Sequence, residues 1–186
     1  TFVIALGTHV PVKQEELEAR LGNDVLSNYT IVQHNAWQED LVPFSLNDGQ
    51  IVKINPHVAR ADLKIGISSI LPHPMAGYGG GPKIVMPGVA NFDFIRNHHM
   101  RYTIHPQARA GVMQGNPFYE KVLQVARAVG FSLSINCVYN QQGEPVRIVA
   151  GNLEAAFFRA TEMCFEKLGH RFKEKIDITI TSTYPH

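Results

Sequence analysis

Two histidines and a lysine stand where their side chains could do chemistry. His9 follows the apolar run Phe2-Val3-Ile4-Ala5-Leu6, and His73 follows a second such run ending at Ile70. Lys83 closes the segment Leu71-Pro72-His73-Pro74-Met75-Ala76-Gly77-Tyr78-Gly79-Gly80-Gly81-Pro82. Parallel α/β sheets present ligand-contacting residues at the carboxyl ends of their strands, and an imidazole with an ordinary pKa of about 6.5 exchanges protons near neutrality. A loop histidine bonded to a nearby carbonyl is the commoner arrangement, so His9 alone decides nothing. The glycine-rich segment is more specific. Gly77, Gly80 and Gly81 allow the backbone to approach a ligand and to aim amide groups at it. Lys83 then serves as a cation or an amine nucleophile. Phosphate or cofactor binding is the natural inference, with a flexible surface loop as the alternative.

The segment is neither a P-loop, since no Gly-Lys-Ser/Thr follows, nor a dinucleotide fingerprint opening a helix. His98 and His99 fall late in a helical pattern that begins near Phe92. Either they complement the helix dipole at the surface, or one turns inward and offers a ring nitrogen to a metal. Asp24, Glu39, Asp40, Asp48, Asp62 and Asp93 form no paired-carboxylate or calcium-loop spacing, and Trp37 reads as packing.

These residues need a scaffold of alternating strands and helices. Strand patterns cover Phe2–Leu6, Tyr29–Gln33, Ile51–Ile54 and Leu63–Ile70, and Glu15–Leu21 reads as a helix stopped by Gly22. Phe92–Met100 reads as a helix, and Asn116-Pro117 opens another that runs to Ala128. Phe131–Tyr139 and Val146–Ala150 flank a turn, Asn152 caps a helix from Leu153 to about Leu168, and Ile176–Thr181 reads as a last strand. The expected fold is Rossmann-like α/β, with a mixed, mostly parallel sheet flanked by helices. Residues 1–172 are expected to form the larger part of one catalytic domain, and 173–186 the start of another.

Seventeen basic and 16 acidic residues leave a net charge of +1, and no run of Lys and Arg interleaves with aromatics, so a nucleic-acid partner is not expected. No apolar stretch reaches the ~18 residues of a membrane span. Two cysteines, Cys137 and Cys164, outside any C-x-x-C pair fit a reducing, cytoplasmic setting. Thr1 opens directly on a strand pattern, so a preceding segment is expected to be missing, together with a following domain.

Gly7-Thr8-His9-x-Pro11, Pro72-His73-x-x-Ala76-Gly77-x-x-Gly80-Gly81-x-Lys83, Pro87-Gly88 and the helical histidine together resemble the nickel-pincer-nucleotide lactate racemase family, over nearly the whole chain. The interval from His73 to Lys83 is the most specific element. The resemblance implies that Lys83 holds a nickel-pincer nucleotide covalently through a thioamide. It implies a nickel ligand sixteen positions further on, at His99, with His98 the second choice. It implies His9 and His73 as an acid/base pair that serves opposite faces of a 2-hydroxy acid while hydride moves to and from the cofactor.

Val10 and Gly79 stand where the family usually has Arg and Ser. Loss of a guanidinium removes a carboxylate clamp, which opens the substrate class to hydroxy acids larger than lactate, such as a sugar acid. Two other readings remain. A non-catalytic protein that binds the nickel nucleotide or another phosphorylated ligand needs Lys83 and the loop but not His9 with His73. A divalent-metal hydrolase needs three protein ligands, for which no H-E-x-x-H or clustered carboxylates speak.

Overall fold

The computed structural model describes residues 1–169, 174 and 178. Apart from residue 178, the expected strand at 176–181 lies outside the described residues, as does the expected domain boundary at 172/173.

Strand β1 (Phe2–Ile4) leads through helices α1 (Gln14–Leu21) and α2 (Asn23–Asn28) to β2 (Ile31–Gln33), which pairs parallel to it. Gly22 separates the helices at φ 78°, a backbone region that side-chain-bearing residues avoid. Strands β3 (Val42–Ser45) and β4 (Ile51–Ile54) form an antiparallel hairpin. Asn55 caps the short helix α3 (Pro56–Ala59) by accepting from the amide of His57. Strand β5 (Ile65–Ile70) follows, then a two-residue ladder of β6 (Pro72–His73) with β7 (Gly77–Tyr78) and a 3-10 turn at Gly81–Ile84. Helices α4 (Phe92–Tyr102) and α5 (Pro117–Ala128), strands β8 (Leu133–Tyr139) and β9 (Pro145–Asn152), and helix α6 (Leu153–Leu168) complete the order.

Among the described residues the strands form four separate sheets, with parallel and antiparallel pairs, rather than one continuous sheet. β5 pairs parallel to β8, which in turn pairs antiparallel to β9. Among the described residues β1 pairs only with β2 and β5 only with β8, and both strands line a cleft of about 1310 Å³. No helix among the described residues is long and apolar enough to cross a membrane.

Two apolar clusters hold the elements together. One joins β4, the stretch Val85–Ala90, α4 and α5 through Val52, Ile54, Val85, Met86, Phe94, Phe118, Val122 and Val125. The other joins β5, β8, α5 and α6 through Ile70, Val138, Tyr119, Phe157 and Cys164. Each fully buried side chain of this size stabilises the fold by about 1.5–3 kcal/mol.

Hydrogen bonds then fix the stretch that precedes α4. Ile54 bridges to Ala90, the amide of Asn91 donates to the Lys53 carbonyl, and buried His34 donates through Nε2 to the Ala90 carbonyl at 2.9 Å. The start of α4 is thereby tied to β4.

Candidate active site around Phe118

Asn116 sets the geometry. Fully buried, it accepts through Oδ1 from the amides of Phe118 and Tyr119, which caps α5. Its Nδ2 donates to the carbonyls of Met75 (2.9 Å) and Val112 (2.8 Å). One side chain thus starts a helix and anchors the loop that carries His73.

The Phe118 ring, fully buried, is the hub. The His98 and His99 rings lie 4.2 and 5.0 Å from it, His73 lies at 6.3 Å, and Nζ of Lys83 lies 5.6 Å from its centre. Sequence reasoning did not single out Phe118. Its position directly after the Asn116-Pro117 helix start was the available signal, but a capping motif does not say which side chains gather round it.

Nδ1 of His73 accepts from the amides of Met75 (3.2 Å) and Ala76 (3.1 Å), and Nε2 lies 3.2 Å from Nζ of Lys83. Burial pushes the His73 imidazole down to about 4, with Lys83 and then His99 adding to the shift. Burial likewise lowers half-buried Lys83 to about 8.

His99 lies one turn after Ile95 in α4 and donates through Nδ1 to its carbonyl at 2.8 Å. A carbonyl oxygen only accepts, so the neutral ring keeps an unprotonated Nε2. Burial lowers its pKa, partly opposed by that hydrogen bond. His98 is 4% exposed and donates through Nε2 to the Phe118 carbonyl at 2.9 Å, and its Nδ1 faces Nδ1 of His99 at 3.5 Å. Both its nitrogens are engaged inside the protein. Burial lowers it to about 4.

The glycine segment folds differently from a simple amide cradle. The amides of Gly79 and Gly81 donate to the Leu71 carbonyl and to Ser68 Oγ, as those of Met75 and Ala76 do to His73. Gly77 and Gly80 have φ of 77° and 80°, and a Cβ on either would stand 2.4 Å from the Val112 carbonyl oxygen or 2.5 Å from that of Ser69. On Gly81 it would meet the Phe157 ring. These glycines let chain segments approach one another, and Gly80 and Lys83 also line the cleft between β1 and β5.

His9 reaches this region through the backbone. Gly88 donates to the Lys83 carbonyl at 3.1 Å, Gly7 donates to the Gly88 carbonyl at 2.8 Å, and His9 donates to Leu6 at 3.0 Å. Its imidazole is exposed, and no hydrogen bond among the described residues ties it to His73, Lys83 or His99. Among the described residues no group of three His, Cys, Asp or Glu side chains gathers as a metal site would need.

In this mixed α/β domain a half-buried lysine thus lies beside one histidine, and two further histidines gather round the same aromatic ring. Residues 1–111 match the family described as the lactate racemase N-terminal domain, and the chain belongs to that family. It is 30% identical over 99% of its length to the lactate racemase of Thermoanaerobacterium thermosaccharolyticum, covering 44% of that protein. It is 33% identical over 83% of its length to the lactate racemase of Lactiplantibacillus plantarum, covering 37% of it. The chain therefore spans less than half the length of these relatives. The structure of the T. thermosaccharolyticum lactate racemase apoprotein superposes on 89% of this chain and 40% of that one, with a TM-score of 0.82 and 30% identity. A Thermotoga maritima protein shares the fold at 22% identity, with a TM-score of 0.71 over 88% of this chain and 46% of that one.

Proposed function

We propose that this chain carries the N-terminal catalytic machinery of a racemase or epimerase acting on 2-hydroxy acids, with Lys83 as the covalent anchor of a nickel-pincer nucleotide. The observation that carries the reading is the Lys83–His73 contact beside His99, in a chain related to two lactate racemases. A half-buried lysine with a lowered pKa suits acylation, and the unprotonated Nε2 of His99 suits a single imidazole ligand to nickel. With no three-donor cluster among the described residues, the nucleotide itself would bring most of the other donors. When bound, the group would supply the hydride acceptor that no side chain provides.

The chain's own residues handle protons and orientation. Exposed His9, with a free imidazole, takes the hydroxyl proton of the substrate. His73 presents Nε2–H to the oxygen on the opposite face. For His73 to act as base in the reverse direction its ring proton must sit on Nδ1, which means releasing the amides of Met75 and Ala76. Val10, 82% exposed beside His9, offers an apolar contact in place of a guanidinium, which favours hydroxy acids larger than lactate. The free thiols Cys137 and Cys164 fit a reducing cytoplasm.

The test is intact mass and nickel content of the full-length protein, produced together with the enzymes that make the nucleotide, with Lys83→Ala alongside. A nucleotide-sized adduct with near-stoichiometric nickel that vanishes in the variant is the expected result. Unmodified, nickel-free wild type under those conditions overturns it. A loaded protein that turns over no 2-hydroxy acid points instead to a carrier of the nucleotide.

A further inference from the structure

We infer that His73 keeps Lys83 a nucleophilic amine, so that it serves the covalent loading of Lys83 before it serves any substrate. The argument is an inventory of donors and acceptors. Backbone amides only donate, so the two that meet Nδ1 of His73 require a lone pair there. The single proton of the neutral ring then sits on Nε2, which lies 3.2 Å from Nζ of Lys83. An ammonium group has donors only. Against it Nε2–H would be a second donor facing the first, whereas an amine accepts that hydrogen through its lone pair. Forming the imidazolium offers no escape, since it places an N–H against both loop amides.

Burial of Nζ outweighs the Phe118 ring, whose face favours an ammonium. His73 faces Nζ from the loop, His98 and His99 feel its charge from α4, and the Phe118 ring covers it from α5. None of the ion pairs among the described residues involves Lys83. Burial in this setting lowers Lys83 to about 8.

The covalent step needs an activated acyl donor, of which a thioacyl nucleotide is one. The Nζ lone pair forms the bond to the acyl carbon, the bond from that carbon to its leaving group breaks with its electron pair, and the surplus proton on nitrogen departs with the leaving group or to water. The amide nitrogen that results has a delocalised lone pair and no longer accepts from His73. Acylation therefore releases Nε2–H for a substrate oxygen. The inference rests on Lys83 being the anchor in the reading above.

The experiment acetylates the unloaded full-length protein with the N-hydroxysuccinimide ester of acetic acid and follows Lys83 by peptide mapping between pH 6 and 10. In wild type the Lys83 rate should be half-maximal near pH 8. Losing one hydrogen bond worth about 1.4 kcal/mol should move the His73→Leu profile up by about one pH unit, a rate about tenfold slower at pH 7.5. His73→Gln, whose amide restores an N–H, should recover most of the loss. If His73 were only packing, leucine would make the site more apolar and move the profile down, so the two cases separate by sign. A His73→Leu profile that is unchanged or lowered overturns the inference. So does a wild-type Lys83 rate that is still rising steeply at pH 10, as an ordinary lysine amine would give. Ring-nitrogen chemical shifts of wild-type His73 decide the matter should the leucine variant not fold: a proton on Nδ1 refutes it, and a proton on Nε2 supports it. Since the readout needs neither nickel nor turnover, its failure is distinct from failure of the functional reading.

Discussion

His98 and His99 are neighbours in sequence yet their rings are committed in opposite senses: His98 donates through Nε2 to the Phe118 carbonyl, and His99 donates through Nδ1 to that of Ile95. The first bond links α4 to α5 and uses the outer ring nitrogen. The second stays within α4 and leaves the outer nitrogen with a lone pair. The choice between two adjacent histidines thus reduces to which carbonyl each ring meets.

In the full-length protein loaded with the nucleotide, His99→Ala should lose at least tenfold in nickel occupancy and keep the mass adduct on Lys83. His98→Gln, which retains an N–H for the Phe118 carbonyl, should keep both. Nickel content measured beside intact mass reads the two effects separately, and a nickel-replete His99→Ala protein would remove His99 from the metal site.

Acid should destabilise the fold through His98. Burial holds its pKa near 4, below the unfolded value of about 6.5. The unfolded chain therefore binds this proton first as pH falls. Stability from the neutral ring is complete above pH 6.5 and drains away towards pH 4, by about 3 kcal/mol for this one group. His73 and His99, both lowered, act in the same direction. Urea midpoints at pH 7.5 and 4.5 should differ markedly in wild type and less in His98→Gln. Equal pH sensitivity in the two proteins would assign the acid limb to other groups.

Much of this architecture was legible in local chemistry. Asn152 and Asn116-Pro117 mark the starts of α6 and α5 to the residue, because a capping side chain and an N1 proline act within one turn. Strand β3 was not legible, since Pro43 interrupts its pattern and lacks a donor, yet it pairs with Lys53 in register. Helix α2 is six residues long with no buried stripe to reveal it. The spacing of His73 and Lys83 pointed to two residues whose side chains the fold brings within 3.2 Å. The division of the described strands into four sheets and the gathering of rings around Phe118 are contacts between distant segments, which no local pattern encodes.

Asn116 offers a sharper test of how the site is held. Asn116→Ala removes the cap of α5 and leaves the buried carbonyls of Met75 and Val112 without their donor. The expected cost is about 2–4 kcal/mol. Asn116→Asp keeps the acceptor for the cap but loses both donations and buries a carboxylate, so it should be no more stable than the alanine variant. Denaturant unfolding measures both. A near-wild-type Asn116→Asp would show that capping alone matters and that the tie to the His73 loop contributes little.

Gly81 and Phe157 should be energetically coupled. A Cβ on Gly81 would press into the fully buried Phe157 ring, so Gly81→Ala should cost about 2–4 kcal/mol from overpacking together with its φ of 51°. Phe157→Leu should cost about 1–2 kcal/mol by leaving space above the 3-10 turn that ends near Lys83. In the double variant the leucine yields room for the new methyl group. The total should therefore fall short of the sum by at least 1 kcal/mol, and what remains reflects the backbone conformation alone. Additive costs in a double-mutant cycle of urea unfolding would mean that the loop moves away from α6 when crowded, and that the position of Lys83 is less rigidly tied to Phe157 than this contact implies.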